Sequence, residues 1–159
     1  MFKHLFKKEQ IHIYSPLNGE VIPIEFVPDA VFSEKMMGEG IAVMPNGGDI
    51  VAPIDGEIIQ IAPTKHAIGI RGKDDTEILI HIGLDTVSLK GEGFSILVEV
   101  GEKVTVGQKL MYVDWDFLKK HVEHIITPLV ITNSQPDKSY VVTEEAYCQQ
   151  AETILLTIK

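Results

Sequence analysis

Short apolar runs separated by turn-forming residues dominate the hydrophobic pattern of this chain. Residues 78–80 (Ile-Leu-Ile) and 129–131 (Leu-Val-Ile) are two such runs, and glycine, proline, asparagine or aspartate interrupts the sequence every few residues. Apolar runs of this length, bounded by turn residues, are typical of buried β-strands. The spacing therefore predicts an all-β domain, a sandwich or barrel, over residues 11–159.

One segment of the chain occurs twice. Residues 13–24 recur 37 positions later as residues 50–61, and both copies contain a proline, an aliphatic residue, Asn or Asp, and then Gly-Glu. Asn-Gly and Asp-Gly favour the positive φ values of a tight hairpin turn. The repeat predicts a hairpin motif in each copy and a partly duplicated sheet. Residues 100–110 resemble the hairpins of lipoyl and biotinyl domains but lack their Met-Lys-Met element, so they indicate β structure only.

Helix is predicted in two short segments. The first extends from Asp116 to about Ile125, with Asp114 or Asp116 as its N-cap. The second is a short turn within residues 29–38. One side of the first segment is apolar, with Phe117, Leu118, Val122 and Ile125.

Two histidines, His121 and His124, lie three positions apart on the predicted helix 116–125. Side chains at this spacing are neighbours on a helix surface and could share a metal. A solvated helix face is the expected role of the pair.

The charge of the chain is unevenly distributed. The first ten residues hold three lysines and one glutamate and have a net charge of +2. Since the whole chain has a net charge of −9, the remaining 149 residues have a net charge of −11. A strongly acidic body argues against nucleic-acid binding, which needs a basic surface. It fits a partner protein with a basic face.

Residues 1–10 are predicted to form a flexible, basic, amphipathic tail. Their apolar and basic residues alternate in pairs, which gives an apolar stripe on a helix, but ten residues are too few for a stable helix in water. At an anionic membrane surface the same pattern favours folding, so residues 1–8 predict a weak, salt-sensitive membrane contact. The alternative is a terminus that only aids solubility.

The sequence favours a cytoplasmic location. No apolar run approaches the roughly 18 residues of a membrane span, and the N-terminus lacks the apolar core and cleavage site of a secretory signal. The single cysteine, Cys148, excludes an internal disulfide and is expected to be structural.

Two other histidines are candidates for chemistry. His81 ends an apolar strand, and Gly83 two positions later is expected to leave space above its ring. His66 lies at a loop-to-strand junction two residues after Thr64, whose hydroxyl could orient it. From these residues alone, buried histidines with satisfied hydrogen bonds remain an alternative.

Three catalytic classes fit the sequence poorly. A zinc hydrolase would need closely spaced ligands such as His-x-His or His-Glu-x-x-His, and neither occurs. The Gly-x-Ser-x-Gly element of serine hydrolases is absent, and the glycines at 91 and 93 are followed by no Gly-Lys-Ser or Gly-Lys-Thr of a nucleotide loop.

Residues 81–87 (His-Ile-Gly-Leu-Asp-Thr-Val) and 90–94 (Lys-Gly-Glu-Gly-Phe) carry a specific resemblance. Together they resemble the active-site signature of the glucose-type enzyme IIA of the phosphoenolpyruvate-dependent sugar phosphotransferase system. The resemblance spans residues 12–158 and includes segments at 16–20, 28–35, 38–42, 51–56, 64–67 and 127–133.

The resemblance implies an antiparallel β-sandwich in which the two histidines face each other. It implies that His81 accepts a phosphoryl group from the histidine phosphocarrier protein HPr and donates it to a cysteine of an enzyme IIB domain. His66 would stabilise the phosphate, Thr64 would orient His66, and Asp85 and Thr86 could lie near the phosphate. No cofactor is required, although members of the family bind zinc, so weak zinc binding at His66 and His81 is expected.

The resemblance also implies an apolar docking face with an acidic rim. This chain has alanine and leucine at positions 62 and 79, where known members have phenylalanine, so its face is less aromatic. A regulatory binding module of the same fold without transfer activity is the main alternative function, and a zinc hydrolase is a distant third. The residues matched to the docking face and its rim are Val31, Phe32, Met36, Met37, Leu79, Asp85 and Val87.

Overall fold

The structure, a computed structural model, describes residues 10–159. The predicted tail and its membrane contact lie outside the described residues, apart from the exposed Gln10. The strands are β1 Ile11–Tyr14, β2 Gly19–Pro23, β3 Glu39–Pro45, β4 Ile50–Val51, β5 Gly56–Ile61, β6 Ala67–Gly72, β7 Glu77–His81, β8 Phe94–Ile96, β9 Lys103–Val104, β10 Lys109–Val113, β11 Thr127–Ile131, β12 Tyr140–Val142, β13 Tyr147–Cys148 and β14 Ile154–Ile158. The helices are α1 Ala30–Ser33 and α2 Trp115–His121, with 3-10 turns at Ile24–Phe26, Lys73–Asp75 and Thr86–Leu89.

All of the strand pairs in this part of the chain are antiparallel. One sheet has eight strands in the order β13-β2-β3-β11-β7-β6-β5-β9, and two smaller sheets have the orders β1-β14-β12 and β4-β10-β8. The predicted all-β, antiparallel fold class with one or two short helices is confirmed.

The sheet orders have a two-fold repeat. When the strands of the large sheet are counted inward from its two edges, the equivalent strands are β13 and β9, β2 and β5, β3 and β6, and β11 and β7. Strands β4–β10 therefore form one contiguous unit, the inserted half, and β1–β3 with β11–β14 form the split half. The repeated motifs contact each other reciprocally: Tyr14 N donates to Pro53 O (2.8 Å) and Val51 N donates to Pro16 O (3.1 Å).

The repeated motifs are not hairpins closed on themselves. Strand β1 pairs with β14, and β2 pairs with β3 and β13, so the first motif connects two sheets, as the second does. The predicted hairpin turns at Asn18-Gly19 and Asp55-Gly56 are corrected, since neither Asn18 nor Asp55 has a positive φ. Glycine is needed because a Cβ would lie 2.1 Å from Met44 O at Gly19 and 2.3 Å from Arg71 O at Gly56.

Each face of the large sheet has its own apolar cluster. Strand β7 shows the alternation, because Ile78 and Ile80 belong to the cluster facing the small sheets and Leu79 to the cluster on the outer face. The outer cluster is covered by residues 24–37, here called the cover segment, which contributes Ile24, Val27 and Phe32. This outer face is where His81, two residues after Leu79, emerges.

The helix predicted over 116–125 begins as expected and ends early. The Asp114 carboxylate caps α2 by accepting from Phe117 N (3.1 Å). The helix ends at His121, and Val122 is extended (φ −128°, ψ 152°) as the chain turns towards β11. His124 therefore leaves the helix and shares no helix face with His121. The turn predicted within 29–38 is α1.

Candidate functional site

His81 is the last residue of β7 and is only partly buried. Its Nδ1 lies 2.7 Å from the carbonyl oxygen of Gly83. A carbonyl only accepts, so Nδ1 carries the proton, and in the neutral ring Nε2 then has a free lone pair. The local backbone thus fixes the tautomer in which the Nε2 lone pair is available.

Gly83 positions the hydrogen-bond partner of His81. It is buried with φ +72°, and a Cβ would lie 2.7 Å from Thr86 Cγ2 and 3.2 Å from His124 O. A side chain at position 83 would therefore clash with the loop around it. The glycine allows the left-handed conformation that aims its carbonyl at Nδ1.

His66 immediately precedes β6 and faces His81. The two ring centroids are 4.9 Å apart at an interplanar angle of 77°, and the backbone of Ala67 pairs with that of His81. The Thr64 hydroxyl lies 2.7 Å from His66 Nδ1, the contact expected from the sequence. When the hydroxyl donates to Nδ1, His66 Nε2 carries the proton and becomes a donor.

Burial keeps both imidazoles neutral. It lowers the pKa of His81, and the Gly83 carbonyl and the charges of Asp29 and Asp85 act in the opposite direction. Burial also lowers the pKa of His66, and the neighbouring His81 adds to this effect. A neutral imidazole is the nucleophilic form, so the site favours attack by His81 near pH 7.

Phe32 and Leu79 form the floor of the site. The Phe32 ring lies 5.1 Å from the His81 ring, and the two side chains are only 4% and 8% exposed. They support the histidine and offer little surface to a partner. The other predicted docking residues are accessible: Val31, Met36, Asp85 and Val87 are exposed, and Met37 is partly buried.

The Thr86 side chain is part of the loop packing. It is fully buried, and its hydroxyl donates to Ile82 O (2.6 Å), so it is engaged in the loop after β7. Asp85 is exposed in a left-handed conformation (φ 59°) at the start of the same loop. Asp85 thus acts on His81 through its charge rather than through a donated hydrogen bond.

Sequence reasoning missed Phe26, which is 75% exposed on the cover segment. Its neighbours Ile24 and Val27 are buried, and nothing in this apolar run distinguishes the residue that points outward. Cys148 is buried as expected, and burial raises the pKa of its thiol, which lies 3.1 Å from Ser15 Oγ.

Comparison with known proteins identifies the family of this chain. Residues 11–136 match the family model described as phosphoenolpyruvate-dependent sugar phosphotransferase system, EIIA 1. The chain belongs to this family. It is 41% identical to the PTS system glucose-specific EIIA component of Staphylococcus epidermidis, over 99% of this chain and 98% of the relative. The structure of the glucose permease IIA from Mycoplasma capricolum superposes with a TM-score of 0.86 at 36% identity, covering 94% of this chain and 96% of that one.

Other relatives are much longer than this chain. The PTS system glucose-specific EIICBA component of Staphylococcus carnosus is 48% identical over 91% of this chain, which spans only 21% of that relative. The family places the chain among the transferase components of sugar transport. Among residues 10–159, no helix combines the length and apolar character needed to cross a membrane.

Proposed function

We propose that this chain is a phosphoryl carrier that takes a phosphoryl group from HPr onto His81 and passes it to a cysteine of an enzyme IIB domain during sugar uptake. The observation that carries the proposal is the bond between His81 Nδ1 and Gly83 O, because it leaves Nε2 as the nucleophile beside His66. The family membership and the fused EIICBA relatives support a IIB partner. A cytoplasmic location belongs to the same proposal.

In the first step, His81 Nε2 attacks the phosphorus of phosphorylated HPr. The new P–Nε2 bond forms as the P–N bond of the donor breaks, and the electron pair of that bond stays on the donor histidine. The His81 ring keeps its Nδ1 proton and gains positive charge, which the Gly83 carbonyl, Asp29 and Asp85 stabilise. His66 Nε2–H donates to a phosphoryl oxygen as negative charge passes between the proteins.

In the second step, the thiolate of the IIB cysteine attacks the same phosphorus. A P–S bond forms, the P–Nε2 bond breaks, and the neutral imidazole leaves with its Nδ1 proton still bonded to Gly83. Neither step needs a metal, a cofactor or an external acid. The Nδ1 hydrogen bond thus makes His81 both a nucleophile and a good leaving group.

The deciding experiment is incubation with phosphoenolpyruvate, enzyme I and HPr. The chain is expected to gain one acid-labile, base-stable phosphate on His81, identified by mass spectrometry of a digest made at alkaline pH. Subsequent addition of an enzyme IIB domain should remove it. A chain that binds HPr but gains no phosphate would instead be the regulatory module considered above.

Zinc binding is proposed to be weak. Two neutral imidazoles supply half of a tetrahedral shell, and the described residues contain no group of three metal-ligating side chains. Titration calorimetry should give a low affinity that His66→Ala or His81→Ala removes. Tight, stoichiometric zinc would contradict this and favour a hydrolytic role.

A further inference from the structure

The cover segment has an apolar outer surface beside the reacting histidines. It buries Ile24, Val27 and Phe32, yet leaves Phe26 75% and Met36 69% exposed. Exposed apolar side chains grouped beside an active site are typical of a surface that contacts another molecule. Phe26 presents the largest side chain of this group.

Phe26 is held in place by its neighbours. It ends the 3-10 turn Ile24–Phe26, which Val27 N closes by donating to Ile24 O (3.1 Å). The residue before it, Glu25, contacts Lys35 Nζ at 3.6 Å, and the same ammonium group lies 3.2 Å from Glu39. An aromatic side chain on a fixed backbone loses little conformational freedom when a partner covers it.

Phe26 lies in sequence between two residues of the buried cluster that reaches His81. Ile24 and Val27 belong to the same buried cluster as Phe32, whose ring lies 5.1 Å from that of His81. A typical protein partner covers about 800 Å² on each side. A partner of that size with its reacting atom at His81 is therefore expected to cover part of the segment that holds Phe32.

The charges around Phe26 indicate the kind of partner. The cover segment carries Glu25, Asp29 and Glu34 against a single cation, Lys35, which is engaged by Glu25 and Glu39. Asp85, in the loop after β7, adds another exposed carboxylate whose charge acts on His81. The complementary surface is an apolar pocket flanked by basic side chains.

We propose that Phe26 is the anchor for the phosphoryl donor, an inference that rests on the proposed function. The donor docks before His81 carries a phosphoryl group, so the basic face of the donor is attracted only by the carboxylates of this chain, and the apolar anchor supplies more of the binding. The acceptor docks afterwards, when the phosphoryl charge adds its own attraction for a basic partner. Loss of Phe26 should consequently weaken binding of the donor more than binding of the acceptor.

The test compares Phe26→Ser with Tyr147→Ser. Tyr147 is a matched control because it is 73% exposed and lies in β13, at the edge of the large sheet. With HPr as donor, Phe26→Ser should raise KM about tenfold, as loss of an aromatic anchor does, and leave kcat within about twofold. Tyr147→Ser should match the wild type, Phe26→Leu should be intermediate, and all should keep the wild-type thermal midpoint.

A second measurement follows transfer from the phosphorylated proteins to an enzyme IIB domain, where the effect of Phe26→Ser on KM should be smaller. An unchanged KM for HPr, an equal change in Tyr147→Ser, or a larger effect on the acceptor would each overturn the inference. A wild-type chain that gains no phosphate would overturn the proposed function itself, and the inference with it. An active wild type with an unaffected Phe26→Ser variant overturns the inference alone.

Discussion

The two halves of the large sheet have the same strand arrangement, but only the inserted half contains His66 and His81. Val43 of β3 and Ile70 of β6 are equivalent residues of the two halves. Each pairs with the same position in its own copy of the repeated segment. The strand pairing one strand further in makes Ile80 of β7 equivalent to Leu129 of β11. These two residues also pair with each other at the centre of the sheet. His81 then corresponds to Val130.

The connecting loops explain why these matching positions differ. In the split half, residues 24–38 join β2 to β3 and their side chains cover the outer face, so Val130 is fully buried. In the inserted half only residues 62–66 join β5 to β6, and His66 and His81 remain accessible at that edge. Loop length thus decides whether this sheet position is buried or accessible. The cover segment of one half also completes the site of the other by placing Phe32 against His81.

The largest expected effect is at His81. His81→Ala should abolish phosphorylation by HPr and leave the fold intact, because the ring is partly exposed and its one bond to Gly83 is local. Mass spectrometry after incubation with the phosphorylating proteins measures the first effect, and circular dichroism checks the second. Phosphate uptake at the wild-type rate would show that the nucleophile lies elsewhere.

His66→Gln should separate acceptance from donation. Glutamine keeps a donor of similar reach, so phosphorylated His81 should still form. Onward transfer to an enzyme IIB domain should fall about 100-fold, because the amide cannot share a proton in the transition state. Rapid-quench single-turnover transfer measures this. Onward transfer at the wild-type rate would remove His66 from the mechanism.

Val130→Ala tests the equivalent position in the split half. In contrast to His81→Ala, it should lower stability and leave phosphorylation intact. It should lower the free energy of unfolding by about 2 kcal/mol, since it removes two methyl groups from a fully buried site. Phosphorylation of the remaining folded protein should continue. Urea denaturation combined with the HPr assay measures both. Lost phosphate uptake in a folded Val130→Ala protein would contradict the division between core and site.

The smallest effect concerns pH. Because the pKa of His81 is lowered from 6.5, the neutral nucleophile should persist as pH falls through 6.5, and phosphorylation should slow only at lower pH. The unfolded chain takes up the proton first, so this histidine's contribution to stability declines below pH 6.5. Asp85→Asn removes a charge that raises the pKa and should shift the midpoint lower still. NMR titration of the His81 ring is the measurement, and a midpoint above 6.5 would contradict it.

Local patterns in the sequence predicted the parts of the fold that depend on neighbouring residues. The apolar run ending at His81 predicted β7, and Asp114 was among the expected caps of α2. Thr64 and His66 are only two residues apart in the sequence, so their contact could be predicted from the local motif. Such local patterns could not predict contacts between residues far apart in the sequence. Gly19 is required because of the nearby Met44 backbone, and Gly83 lies against the backbone of His124.

The early end of α2 and the exposed position of Phe26, neither of which the sequence predicted, have related causes. Val122 leaves the helix although its apolar position fits the helical period, because the chain must turn there to enter β11. Phe26 and its buried neighbours are equally apolar, and only the 3-10 turn decides which side chain points outward. In both cases the determinant is the path of the backbone between strands.

The pairing of β1 with β14 brings the two ends of the domain together. Ile11 lies opposite Ile158 in this ladder, which puts their Cα atoms about 5 Å apart. A short linker from Lys159 to Gln10 would therefore close the chain at little entropic cost. Opening it at Gly47, where a Cβ would meet no atom within 4 Å, gives a circular permutant in which the inserted half precedes an uninterrupted split half. In that order each half is synthesised as one continuous unit, and the contacts that join β3 to β11 become closer in sequence.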